Sequence, residues 1–170
     1  MKNIENIVLV GLMGSGKTTI GKQLSKKLNK LFIDTDLLIK QKTGVDITTI
    51  FELEGEDGFR LRETNLLHEL LLEHDKVIAT GGGIVLLEAN RKLLKKIGKI
   101  IYLKADPNDL AIRLRQDKSR PLIQNVDLLK KLNTLFEERD SLYKSLANYI
   151  IETKNKRVID INEEIMELLS

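Results

Sequence analysis

Ile7-Val8-Leu9-Val10, then Gly11-Leu12-Met13-Gly14-Ser15-Gly16-Lys17-Thr18, then Ile20, Leu24 and Leu28 form the stretch that decides the fold. Four consecutive apolar residues ending at a glycine suit a strand buried on both faces of a parallel sheet. The apolar residues that follow recur every fourth position, which marks one face of a helix. Between them Gly11, Gly16, Lys17 and Thr18 meet the spacing G-x-x-x-x-G-K-[ST]. Glycines let the backbone curl so that successive N–H groups point at phosphate oxygens, and the helix N-terminus adds its dipole. Lys17 would reach the β- and γ-phosphates, and the Thr18 hydroxyl would ligate Mg²⁺. A glycine-rich turn with a surface lysine is the bland reading of the same residues. The position after a buried strand and at a helix start favours a phosphate loop, which implies a bound nucleoside triphosphate.

Working outward, the same alternation repeats. Residues 30–33 read as a second strand, and Asp34-Thr35-Asp36 as the turn into Leu37-Leu38-Ile39, with Gly44 a helix stop. A short helix is expected from Asp46 to Leu53 with Gly55 ending it, and a longer one from Phe59 to His74, whose Phe59, Glu63, Leu66, Leu67, Leu70 and Leu71 stand out. Val77-Ile78-Ala79 is a third strand ending at Gly81-Gly82-Gly83, and residues 99–103 are a fourth. Asp106-Pro107 supplies an N-cap with proline at the first helical position. A polar stretch at 116–125 precedes a helix over 128–146; Tyr149-Ile150-Ile151 is the fifth strand, and Asp160 is expected to cap a final helix. Alternating strands and helices imply an α/β fold, a parallel sheet wrapped by helices on both sides.

Composition narrows the function. The chain has 170 residues, enough for one domain with a real core, and its 42% apolar and 31% charged residues are ordinary for a globular protein. With no cysteine, a disulfide framework, a thiolate zinc site and a cysteine nucleophile are all excluded. The N-terminal apolar run is too short for a signal-peptide core or a membrane span, so a cytoplasmic location is expected. The net charge of +3 is spread among 25 acidic residues, and four Phe and three Tyr leave little for base stacking, which argues against a nucleic-acid partner.

A phosphate loop does not choose between kinase, motor and switch. Many such proteins hold magnesium with an Asp at the end of a buried strand, yet the third strand ends Ala79-Thr80-Gly81 without an acid. Asp34, at the end of the second strand, is the obvious substitute, because strand ends converge on one crevice in an open sheet. On an extended segment residues two apart point the same way, so Asp36 would share that crevice and could orient a hydroxyl or take its proton. Either acid could instead be a helix N-cap. The triple glycine could be a tight turn, or could let a ligand approach the backbone closely.

From Ile7 to about Arg157 the sequence resembles shikimate kinase. The resemblance rests on the ordered motifs Gly11 to Thr19, Phe32-Ile33-Asp34-Thr35-Asp36, Ile50-Phe51 with Gly55-Glu56, Phe59-Arg60-Leu61-Arg62-Glu63, Val77 to Gly83, and Arg120-Pro121-Leu122. It implies ATP:shikimate 3-phosphotransferase activity on the route to chorismate and aromatic amino acids. The implied fold is like that of nucleoside monophosphate kinases: one kinase domain over residues 1–170, three-layer α/β/α, with a five-stranded parallel sheet ordered 2-3-1-4-5. A substrate-binding segment at about 34–62 and a mobile lid at about 114–125 are implied too.

By this resemblance Gly14, Ser15, Gly16, Lys17, Thr18 and Thr19 bind ATP, together with Arg113 packing on adenine and Arg120 reaching the phosphates from the lid. Lys17, Asp36 and Arg120 are the catalytic candidates. Thr18 and Asp34 are the Mg²⁺ candidates, Asp34 through the outer sphere. Asp36 contacts the shikimate hydroxyls, Arg60 and Arg139 hold its carboxylate, and Gly81 and Gly82 line the same pocket. A planar guanidinium is well suited to holding a carboxylate with two parallel hydrogen bonds. A further adenine contact falls at Lys156 or Arg157. A monomer is implied. His68 and His74 fit no motif and are expected on the surface of the long helix. The competing readings are another small-molecule kinase, of gluconate or nucleotide type, and a nucleotide-dependent switch without catalysis.

Overall fold

The computed structural model describes residues 5–116 and 127–170. Its elements run β1 (Asn6–Val10), α1 (Lys17–Leu28), β2 (Leu31–Asp34), α2 (Thr35–Thr43), α3 (Ile47–Leu70), β3 (Lys76–Ala79), a 3-10 turn (Ile84–Leu86), α4 (Glu88–Ile97), β4 (Gly98–Lys104), α5 (Pro107–Gln116), α6 (Leu128–Leu146), β5 (Tyr149–Glu152) and α7 (Val158–Leu169). All strand pairs are parallel, in the order β2-β3-β1-β4-β5. This is the expected α/β fold and the expected strand order.

Strand β1 is central and buried throughout, so its residues alternate between two cores. Ile7 and Leu9 join Val77, Ile101 and Leu103 against Ile20 and Leu24 of α1 and Ile161 and Ile165 of α7. Val8 and Val10 join Ile78, Ile100 and Tyr102 against Phe59, Leu66 and Leu67 of α3, Leu93 and Leu94 of α4, and Leu132 and Tyr143 of α6. Helices therefore cover both faces, and the carboxyl ends of the strands form the one edge where loops converge.

Four expectations need correction. A break at Gly55, whose φ of 69° and ψ of −176° are unavailable to most side chains, divides α3 into two helical pieces as expected, but the second ends at Leu70 rather than His74. His68 is exposed on α3, whereas His74 is exposed beyond its end. Asp160 is not the cap of α7; Arg157 is, with Asp160 at the third helical position accepting from the Arg157 backbone N–H at 3.1 Å. Residues 114–116 are the last turn of α5, with Leu114 in the core, so they do not belong to a lid. The rest of that expected lid, Arg120 included, lies outside the described residues.

Candidate active site

Helix α1 begins without help. Its N-cap is Gly16 in the left-handed region (φ 96°), with no side-chain cap hydrogen bond and no acid in the first turn. The first N–H groups of a helix need partners, and an anion is the natural one where no side chain supplies an acceptor. Gly14 is also left-handed (φ 79°), which turns the loop around this uncapped N-terminus. Lys17 folds back, its Nζ donating to the carbonyls of Gly11 at 2.6 Å and Leu12 at 2.9 Å. Those bonds hold the cation across the mouth of the loop.

Gly14, Ser15, Gly16, Lys17, Thr18 and Thr19 line one cleft of about 1010 Å³. Asp34, Asp36, Thr80, Gly81, Gly82 and Arg113 line the same cleft, and so do both Lys156 and Arg157. Arg113 lies on α5 and donates from Nη1 to the Gly14 carbonyl at 3.2 Å. Lys156 is paired with Glu164 and Arg157 with Asp160, so the two cations at that end are both anchored to α7.

Asp34 carries two duties at once. One carboxylate oxygen caps α2 by accepting from the Leu37 N–H at 3.1 Å, and the other accepts from the Thr18 hydroxyl at 3.0 Å. Capping and a place beside Thr18 are thus not alternatives. An oxygen-only pair of hydroxyl and carboxylate beside a phosphate loop fits Mg²⁺, which binds through one or two protein oxygens plus substrate phosphates. Among the described residues no group of three or more acids, histidines or cysteines is arranged to hold a metal by itself. The donor set therefore suits a metal that arrives with the nucleotide.

Asp36 reaches the cleft by a different route from the one its spacing suggests. Helix α2 starts at Thr35, directly after Asp34, so Asp36 occupies the first helical turn rather than an extended segment. Buried Thr35 fixes that turn by accepting from the Gly81 N–H at 3.1 Å. The Asp36 carboxylate then faces Gly81 closely: a Cβ at Gly81 would stand 2.6 Å from Asp36 Oδ1 and 3.1 Å from Glu63 Oε1. At Gly83 a Cβ would collide with the Arg60 guanidinium. Gly82 faces Arg139 Nη1 at 3.5 Å on the same measure, with the Gly11 carbonyl and the Met13 N–H beside it. Neither Gly81 nor Gly83 needs a left-handed backbone. Their lack of side chains makes room for charged groups arriving from α2 and α3.

Arg60 and Arg139 thus meet on the triple-glycine loop, although they come from α3 and α6. Arg60 donates from Nη1 to Glu63 at 2.7 Å and pairs more loosely with exposed Glu56 at 3.3 Å. The Nε atoms of Arg60 and Arg139 are buried without a hydrogen-bond partner among the described residues. A buried cationic donor left unpaired is costly, which marks a place for an anion.

Two contributors were absent from the candidate set. Tyr143 donates its hydroxyl to the Gly82 carbonyl, tying α6 to the glycine loop, and burial pushes its phenol up to about 12 despite nearby Arg139. Glu63 is fully buried, and burial pushes its carboxyl up to about 7 against the opposing pull of Arg60. Its place among Phe59, Leu66, Leu67 and Leu70 on the apolar stripe of α3 was the available signal: an acid on a core-facing stripe has a partner inside.

The family model described as shikimate kinase matches residues 13–170. The chain belongs to the shikimate kinase family. A shikimate kinase of Burkholderia thailandensis is 47% identical over 164 residues, 96% of this chain and 89% of that protein. The solved shikimate kinase of Acinetobacter baumannii, in complex with shikimate, superposes with a TM-score of 0.92 at 43% identity, covering 99% of this chain and 94% of that one. A gluconokinase of Sinorhizobium meliloti aligns at 0.66 and 17% identity, which shows a shared fold alone. Family membership makes the chain an ATP-dependent kinase and transferase of aromatic amino acid biosynthesis, with the activity of shikimate kinase. The gluconate-type and switch readings are thereby set aside. Among the described residues no helix is long and apolar enough to cross a membrane.

Proposed function

We propose that this shikimate kinase domain, residues 1–170, moves the γ-phosphoryl group of ATP to the 3-hydroxyl of shikimate by dividing one cleft into a donor half and an acceptor half. In the donor half the backbone N–H groups of Gly14–Thr19 hold the phosphates, and Lys17 leaves the Gly11 and Leu12 carbonyls to meet the transferring charge. Thr18 and Asp34 would hold Mg²⁺, which when bound neutralises phosphate charge. Arg113 flanks the nucleotide, with Lys156 and Arg157 at the adenine end, and Arg120 from the lid adds a cation to the phosphates. In the acceptor half Arg60 and Arg139 hold the carboxylate of shikimate against Gly81 and Gly82. Asp36 orients the attacking hydroxyl and accepts its proton.

The observation that carries this reading is the meeting of Asp36, Arg60 and Arg139 on a glycine loop whose Gly82 abuts Gly11 and Met13 of the phosphate loop. Acceptor and donor groups are then neighbours, as in-line transfer requires. The test is Asp36→Asn. We expect phosphorylation to fall by roughly 10²- to 10⁴-fold with ATP affinity nearly intact, as for loss of a general base. A large loss of ATP affinity instead would assign Asp36 to the donor half and contradict the reading. We further propose that the enzyme acts as a cytoplasmic monomer, where ATP is supplied; sedimentation at working concentration checks the second part.

A further inference from the structure

Glu63 is the deepest charged group beside the acceptor pocket, and the reaction as described above gives it no task. Its side chain is fully buried. Oε2 accepts from Arg60 Nη1 at 2.7 Å, while Oε1 is buried without a hydrogen-bond partner among the described residues and faces Gly81. The charged groups that act on it come from each neighbouring helix: Arg60 from its own α3, Asp36 from α2 and Arg139 from α6. The loop after β3 presents backbone alone, Gly81 to Gly83.

Two cations therefore face two carboxylates, and the pocket is neutral as it stands. A carboxylated acceptor brings one more negative charge into a space where uncompensated charge is expensive. Oε1 is the oxygen that can take a proton without breaking the bond to Arg60. We propose that Glu63 takes up one proton from solvent on Oε1 when the carboxylated acceptor binds, freeing the charge of Arg60 and Arg139 for the incoming carboxylate. No other bond forms or breaks. Glu63 is in this sense a positioning residue, acting through Arg60 and the charge of the pocket. The inference rests on the proposal that Arg60 and Arg139 hold the acceptor's carboxylate.

Burial already pushes the Glu63 carboxyl up to about 7, with Asp36 adding to the rise and both arginines opposing it. A bound anion raises it further, which fixes the sign. Acceptor affinity is greatest where free Glu63 is already protonated, below about pH 7, and falls as pH rises above that, by up to roughly tenfold per unit while the bound form keeps its proton.

The test is calorimetric titration of the full chain with shikimate at about pH 8, in buffers of differing ionisation enthalpy, which counts protons directly. Wild type should take up a proton fraction approaching one. Glu63→Gln should take up none and show an affinity nearly flat between about pH 6 and 8.5. Asp36→Asn removes one of the two carboxylate charges that raise Glu63 and should take up a smaller fraction of a proton than wild type. No uptake by wild type overturns the proposal, and that measurement stands even if Glu63→Gln does not fold. An unchanged pH slope in Glu63→Gln, or uptake abolished by Asp36→Asn and kept by Glu63→Gln, also overturns it. Arg139→Ala separates the two layers: unchanged shikimate affinity there sinks the arginine assignment whatever the proton count. Weakened affinity in that variant together with no uptake by wild type sinks the Glu63 proposal alone.

Discussion

The two halves proposed for the site, donor and acceptor, are built on different principles. The donor half is one contiguous segment, Gly11 to Thr19, whose binding groups are mostly backbone N–H at an uncapped helix start. The acceptor half draws Asp36 from α2, Arg60 and Glu63 from α3, Arg139 and Tyr143 from α6, and the loop after β3. Contacts between elements bring them together: Thr35 of α2 is pinned to Gly81 and Tyr143 of α6 to Gly82, while Arg60 is held by Glu63 one turn along the same helix. A backbone site tolerates many side chains provided its glycines remain, whereas a site of converging charges depends on every contact around it.

That contrast can be broken by substitutions, and after Asp36→Asn the largest expected effect is in the donor half. Lys17→Met removes the cation at the mouth of the loop and should lower turnover by roughly 10²- to 10³-fold, as loss of a preorganised charge donor does. Steady-state kinetics with shikimate KM unchanged would keep the halves distinct; a shikimate defect of equal size would merge them. Arg139→Ala comes next. It should raise the KM for shikimate by about 10- to 100-fold, the value of a charge-assisted hydrogen bond, with little change in that for ATP. An effect confined to ATP would move Arg139 out of the acceptor half.

Gly83→Ala sharpens the comparison, because it touches no substrate in either half. A methyl there collides with the Arg60 guanidinium, so shikimate KM should rise by roughly tenfold in a folded protein, the scale of overpacking strain. Unchanged kinetics would mean that Arg60 has room to move. The smallest effect is expected for Tyr143→Phe, which loses one hydrogen bond to Gly82. A thermal melt should show Tm lower by about 2–4 °C, with ATP affinity unaltered.

The same contrast explains what could be read from the sequence. The donor half was legible residue by residue, since a strand, a glycine spacing and a helical period are all local. Local signals also located all five strands within a residue or two, and the strand order followed from the family resemblance. Asp36 was legible as an acid near the cleft but not as a helical residue. Asp34 caps α2 so tightly that no extended residue intervenes, and strand alternation has no force there. The Asp160 error is of the same kind: a good N-cap residue sits at the third helical position because Arg157 and Asp160 close a capping box. The 3-10 turn and α4 were not assigned, although Leu93, Leu94 and Ile97 carry a helical period. Arg60 and Arg139 could be matched to a pattern, yet their convergence depends on how α3 and α6 pack over the sheet. Glu63 and Tyr143 drew no role because each gains it from a backbone loop distant in sequence.

The most direct test of the whole account is a coupled ADP-release assay on the wild-type chain with ATP, Mg²⁺ and a panel of polyhydroxy acids including shikimate. The account predicts ADP release that depends on shikimate and is matched by phosphorylated shikimate, with other acids poor substitutes. ADP release without shikimate, equal turnover on an acid lacking its carboxylate-and-hydroxyl arrangement, or none with folded protein would contradict it.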